Sequence, residues 1–206
     1  MIYNYIKENY GKGDPIFFND LPCTSKGYLR HEIKKLVDEG KIKRVYNGVY
    51  YLPYTTILGT EGGMSILKYV DKKYKKSKGI IFGYTTGLQL VNRAGFTSQN
   101  SAFIEVCSNK ATSRQRINVV DGIRIIIYKP KTEITNDNVS TLQFLDLLSL
   151  LDKFCEIEGI ELKERIKRFI LLNNVNLSLL KNYLSLFPEK IYKYLYLGDV
   201  KFDGVA

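Results

Sequence analysis

The chain has few of the residues from which disulfide frameworks and metal centres are built. Its three cysteines, Cys23, Cys107 and Cys155, include no CxxC pair. An odd number at such spacings argues against a disulfide scaffold and a structural zinc site, and predicts a reducing cytoplasm. Histidine occurs once, as His31, so a metal ligand or proton shuttle there would have no second histidine and no cysteine near it in sequence. Long apolar runs are missing too. The most apolar stretch, residues 142–151, is about half of what a bilayer needs and contains Asp146. The first eight residues, MIYNYIKE, lack the basic start and apolar core of a signal peptide. No GxxxxGK[ST], GxGxxG, GxSxG or HExxH occurs, which removes the usual phosphate cradle, dinucleotide fingerprint, nucleophile elbow and zincin site. No cofactor and no membrane partner are expected.

What the sequence has is positive charge. The 206 residues carry a formal net charge of +10, with 45% hydrophobic and 25% charged residues. That is enough apolar material for a globular core in one large or two small domains. The excess attracts polyanions such as nucleic acid, an anionic surface or an acidic protein. It is unevenly distributed. Residues 1–53 hold nine basic and six acidic side chains, residues 54–131 hold 13 and four, and residues 132–206 hold nine and 11.

Apolar spacing predicts a first helix from Ile2 to Tyr10, broken by Gly11 to Pro15, and a second short helix through Phe17, Phe18 and Leu21, capped by Asn19 or Asp20 and closed by Pro22. Thr24 or Ser25 caps a longer helix that Gly40 stops. Asn47-Gly48 between two β-branched and aromatic runs predicts a hairpin with both turn residues at positive φ. Residues 54–60 read as a linker, and Thr60 as the cap of a helix over 61–74. Gly59-Thr60-Glu61-Gly62-Gly63 resembles a phosphate loop only superficially, because no apolar strand precedes it. A helix over 86–94, ended by Gly95, is followed by strands at 102–107, 116–120 and 123–128, the last two joined by Asp121-Gly122. Beyond Ser140 the pattern is helical: a buried helix through Leu142 to Phe154, then helices over 162–172, 177–187 and 188–197, the last with Pro188 in its first turn.

Three helices and a hairpin are the order of a winged helix-turn-helix. In the third helix Leu29, Ile33, Leu36 and Val37 fall within roughly 100° of arc, which leaves Gly27, His31 and Lys34 opposite, flanked by Tyr28, Arg30 and Lys35. Ser25, Lys26, Arg30 and His31 at its start are candidates for base edges. Lys34, Lys35 and the wing residues Lys43, Arg44 and Asn47 are candidates for phosphates. The basic run 72–78 and the set Lys110, Arg114, Arg116, Arg124, Lys129 and Lys131 either extend that footprint or meet an acidic partner; a solvated helix end explains the run as well. A metal-dependent nuclease is the enzymatic rival. Its acids would come from Glu61, Asp71, Glu105 and Asp121, and Glu105 lacks a lysine two residues on.

Residues 29–51, with Leu29-Arg30-His31-Glu32-Ile33-Lys34-Lys35-Leu36 running into Arg44-Val45-Tyr46-Asn47-Gly48-Val49-Tyr50-Tyr51, resemble the N-terminal winged helix of AbiEi-type antitoxins. Gly83-Tyr84-Thr85-Thr86-Gly87-Leu88-Gln89-Leu90-Val91-Asn92-Arg93-Ala94-Gly95-Phe96-Thr97-Ser98-Gln99 resembles the second-domain segment of that family. Ser113-Arg114-Gln115-Arg116 and Ile134-Thr135-Asn136-Asp137-Asn138, followed by residues 142–148, are also similar to it. The resemblance implies a type IV toxin-antitoxin protein of phage defence. Its winged helix would bind inverted repeats of double-stranded promoter DNA, and its second domain would oppose a nucleotidyltransferase-like toxin without necessarily forming a stable complex. It assigns no toxin-opposing residues and does not extend past about Phe154.

The expectation is therefore an α+β protein with a winged helix-turn-helix at 1–54 and a mixed α/β antitoxin-like domain with a helical tail at 55–206. It is read as a non-enzymatic autorepressor and antitoxin. The alternatives are a DNA-binding regulator with a ligand-sensing domain, or a DNA-targeted nuclease.

Overall fold

The computed structural model describes residues 2–23 and 25–201. The protein is mixed α+β and divides into two compact units, Met1–Lys72 with Val120–Gly122, and Lys73–Val119 with Ile123–Ala206.

The first unit opens with α1 (Ile2–Asn9), which buries Ile2 and Ile6 one turn apart. β1 (Ile16–Phe17) then pairs antiparallel with β3, and a single 3₁₀ turn, Phe18–Asp20, stands where the second helix was expected. The reason is local: the sheet takes Ile16 and Phe17 into extended pairing and the Phe18 amide into a bond to the Gly48 carbonyl at 2.9 Å. Too little chain is left before Pro22 for a helix. Asn19 and Asp20 lie inside the turn, and Phe17 precedes it, so neither polar residue is a cap.

α2 (Lys26–Asp38) starts at Ser25, whose hydroxyl accepts the Tyr28 amide, and ends near Gly40, at φ 68°. Thr24, the other cap considered, lies outside the described residues. α2 buries Leu29, Ile33 and Leu36 against Ile2, Ile6, Ile16, Leu21, Ile42 and Tyr50. β2 (Lys43–Tyr46) and β3 (Val49–Tyr51) form the hairpin, and the sheet order is β1-β3-β2. Only Gly48 of the turn has positive φ, at 73°. Asn47 does not, and the register slips between Arg44 and Tyr46, so the turn works through a bulge rather than two left-handed residues.

Residues 54–60 are not a linker. β4 (Tyr54–Thr55) and β5 (Glu61–Gly62) form a second hairpin. Its loop is closed by the Thr56 amide bonding the Thr60 carbonyl at 2.8 Å and by the two threonine hydroxyls at 2.7 Å. Thr60 is thus a loop residue. Gly62 is required because a Cβ there would overlap the Tyr54 ring. α3 (Ile66–Val70) begins later than expected, capped by Ser65, and passes into a π-helical turn at Asp71–Lys75. Tyr69 on α3 is fully buried and stacks on Phe17 at 5.7 Å. Lys68 meets Asp14 at 2.6 Å and Lys72 meets Asp20 at 2.8 Å. These contacts put the segment after Tyr54 into the first unit, so the division falls at Lys72 instead of residue 54.

In the second unit β6 (Lys76–Ser77) and β7 (Ile80–Ile81) form a small hairpin. β8 (Gly83–Thr85) leads into α4 (Gly87–Arg93), which ends at Gly95, at φ 79°. β9 (Ile104–Ser108), β10 (Gln115–Val120) and β11 (Ile123–Tyr128) complete a four-stranded sheet in the order β10-β11-β9-β8, with β11 parallel and β8 antiparallel to β9. The β10–β11 turn has both Asp121 and Gly122 at positive φ, as its sequence predicts. α5 (Val139–Phe154) buries Leu142, Phe144, Leu145, Leu147, Leu148 and Leu151. α6 (Gly159–Leu172) follows. The single helix expected over 177–187 is instead α7 (Leu180–Tyr183) between two 3₁₀ turns, tightened by bonds from Leu179 to Asn176 and from Phe187 to Leu184. α8 (Ile191–Leu197) starts one turn after Pro188, whose carbonyl accepts the Ile191 amide at 3.1 Å. No helix among the described residues is long and apolar enough to cross a membrane.

Candidate nucleic-acid interface and ligand cavity

Burial of Leu29, Ile33 and Leu36 turns the rest of α2 outward. Lys26, Tyr28, Arg30, His31, Lys34 and Lys35 are all exposed. Ser25 is exposed as well, its hydroxyl accepting the Tyr28 amide. Among the described residues no ion pair engages Lys26, Arg30 or Lys34, so the first two turns of the helix present unneutralised charge. The acidic partners sit at the far end. Glu39 pairs with Lys41 at 2.7 Å and reaches Lys35 at 4.0 Å. Those lysines hold its carboxyl below the usual range.

The hairpin residues divide in role. The Arg44 guanidinium donates to the Asn47 side-chain oxygen at 2.9 Å, bracing the exposed turn. Lys43, a phosphate candidate, is half-buried and paired with Glu61 of β5. The same pair commits Glu61, one of the acids considered for a nuclease. Among the described residues no group of three or more His, Cys, Asp or Glu is placed to hold a metal ion. The basic run 72–78 is not simply a solvated helix end. Lys72 pairs with Asp20, Lys75 donates to the Thr85 hydroxyl at 3.0 Å, and burial beside Arg116 lowers the Lys73 pKa. Sequence spacing gave no sign of the β4–β5 loop, where Ile57 and Leu58 are fully exposed.

The second unit contains a cavity of about 700 Å³. Its buried wall is built by β8, the start of α4, β9 and α5, which contribute Tyr84, Thr86, Gly87, Glu105, Cys107 and Asp146; Tyr128, Arg114, Lys129 and Lys131 line it as well. Glu105 is held firmly. Its Oε1 accepts the Tyr128 hydroxyl at 3.0 Å and its Oε2 the Leu88 amide at 3.2 Å. It occupies the space where a side chain on Gly87 would be, and Gly87 itself stands at φ 66°. Asp146 accepts the Thr86 hydroxyl through Oδ2.

Burial pushes the Asp146 carboxyl above the usual range, against the opposing pull of the Thr86 hydroxyl and Lys131. It pushes the Cys107 thiol up to about 12, so this cysteine stays protonated and is no nucleophile near neutral pH. Tyr128 rises to about 12, through desolvation and its bond to Glu105. Of the lining residues, sequence reading singled out Glu105 as a nuclease acid, Arg114, Lys129 and Lys131 as part of a basic set, Cys107 only as one of three unpaired cysteines, and Asp146 only as an interruption of an apolar stretch. The available signal was an acid set between buried leucines in the most apolar stretch of the chain. Segments 83–99, 113–116 and 142–148, quoted above for their resemblance, meet at this cavity through Tyr84, Thr86, Gly87, Arg114 and Asp146. No protein-family model matches the chain, and no curated protein does.

Proposed function

We propose that the first unit is a winged helix-turn-helix that binds double-stranded DNA through α2, and that the protein is an autorepressor and type IV antitoxin acting in the cytoplasm. The observation that carries the DNA-binding reading is the exposed start of α2, where Lys26, Arg30 and Lys34 have no ion-pair partner among the described residues. The order α1, β1, turn, α2, hairpin suits such a module, with the middle helix reduced to a 3₁₀ turn. The antitoxin half of the reading rests on the resemblance of segments 83–99, 113–116, 134–138 and 142–148. The protein is read as acting without catalysis.

Affinity for the inverted repeats of its own promoter is expected to fall steeply between 50 and 200 mM salt; a flat response would remove the DNA-binding reading. Full-length protein carrying Arg30→Ala is expected to lose repression yet still restore growth when the neighbouring nucleotidyltransferase-like reading frame is expressed. Loss of rescue along with repression would argue against two separable activities, and a harmless neighbour would end the antitoxin reading. The cavity favours a second reading, a DNA-binding regulator whose other unit senses a small molecule. A ligand-dependent change in operator affinity distinguishes it.

A further inference from the structure

Asp146 is half-buried in a way that packing alone does not require. One of its oxygens accepts the Thr86 hydroxyl, and the other has no hydrogen-bond partner among the described residues. No fully enclosed side-chain nitrogen or oxygen among those residues is left unpaired, so the second oxygen opens into the cavity. Glu105 differs, since the Tyr128 hydroxyl and the Leu88 amide occupy both of its oxygens. Lys131 does not neutralise Asp146 by a salt bridge; its ammonium lies over the Phe187 ring at 4.1 Å. A carboxylate partly withdrawn from water against one neutral hydroxyl is disfavoured until a cation joins it.

The remaining charges in the lining have the opposite sign and a different position. Arg114, Lys129 and Lys131 are exposed, whereas Glu105 is buried and Asp146 half-buried. The cavity therefore runs from an acidic floor to a cationic mouth. A simple anion entering it meets two carboxylates, and a simple cation must pass three positive side chains. A molecule carrying both charges is attracted at each end. The volume of about 700 Å³ is in the range of metabolite sites.

We propose that this cavity binds a small zwitterion, with an ammonium or guanidinium group against the free oxygen of Asp146 and a carboxylate or phosphate held at the mouth by Arg114, Lys129 and Lys131. The inference rests on the cavity being a ligand site, as in the second reading above. Its test is direct binding in the absence of DNA, so its failure and that of DNA binding are separable. Binding without any effect on operator affinity would end the sensing reading and leave this one standing.

Calorimetric titration of the full chain with 4-aminobutyrate, 6-aminohexanoate, 8-aminooctanoate and 6-aminohexyl phosphate is expected to give saturable binding by at least one of them. Hexylamine and hexanoate are expected to bind at least ten-fold more weakly. The carboxylate and phosphate arms show which anion the mouth prefers. Asp146→Asn keeps the shape and the acceptor for Thr86, and is expected to weaken the best zwitterion at least ten-fold while raising the melting temperature of the free protein. Arg114→Met, at an exposed position, is expected to weaken the zwitterion but leave hexylamine unchanged, and supplies the answer if the first variant folds poorly. Binding by none of the four zwitterions, equal binding by zwitterions and single-ended probes, or wild-type affinity in either variant overturns the proposal.

Discussion

Glu156 shows how much an exposed carboxylate can do when its hydrogen bonds are made to backbone and side chain together. It accepts the Ser98 amide at 2.7 Å, the Ser98 hydroxyl at 2.9 Å and the Gln99 amide group at 2.8 Å. Those bonds favour the charged form and hold its pKa at about 2. A carboxyl depressed in the folded state stabilises above its unfolded value, near 4.5, and that stability is lost as pH falls toward 2. Urea midpoints of wild type and Glu156→Gln are expected to differ at pH 7 and to converge as pH approaches 2. A constant gap would show that the bonds do not depend on the charge. Gly87 is the other residue with a sharp demand. Its φ of 66° and the fixed Glu105 carboxyl beside it leave no room for a methyl group. Gly87→Ala is expected to destabilise by about 2 to 4 kcal/mol in chemical denaturation. Neither requirement was legible in sequence, since both depend on partners 18 or more positions away.

At the scale of elements, what local chemistry decides was readable and what pairing decides was not. Ser25 and Gly40 bracket α2 as their types predict, and Leu29, Ile33 and Leu36 bury as their spacing predicts. The Asp121-Gly122 turn and the apolar α5 are of the same kind. Where sequence failed, a partner distant in the chain had outweighed local preference. β3 draws Ile16 and Phe17 into a strand and so shortens the expected helix to a turn. Tyr54 and Thr55 pair with Gly62 and Glu61, which turns an apparent linker and helix start into a hairpin. The Ser25 cap gives an element-level test: Ser25→Ala is expected to lose about 1 kcal/mol of stability through the first turn of α2. A loss indistinguishable from zero would mean that tertiary packing alone holds that end in place.

For the whole molecule, net charge overstates what is free to meet a polyanion. Of the basic residues of the first unit, Lys41, Lys43, Lys68 and Lys72 are taken up by Glu39, Glu61, Asp14 and Asp20. Among the described residues, the exposed cations at or beside α2 without such a partner are Lys26, Arg30, Lys34 and Arg44. Of these, Lys34 and Arg44 are the phosphate candidates, and two phosphate contacts per copy would give a slope of log affinity against log salt of about −1.8 per copy, or a loss of roughly 10-fold per copy between 50 and 200 mM. Lys34→Ala is expected to reduce that slope by about 0.9 with equal effect on operator and random DNA, whereas Arg30→Ala is expected to relax sequence preference. Lys43 provides the control. Its charge is already neutralised by Glu61, so Lys43→Ala is expected to leave the slope unchanged. If Lys43→Ala lowers it as much as Lys34→Ala does, the pair must open on DNA and release the lysine to a phosphate. The hairpin would then contact the backbone through Lys43 as well as Arg44.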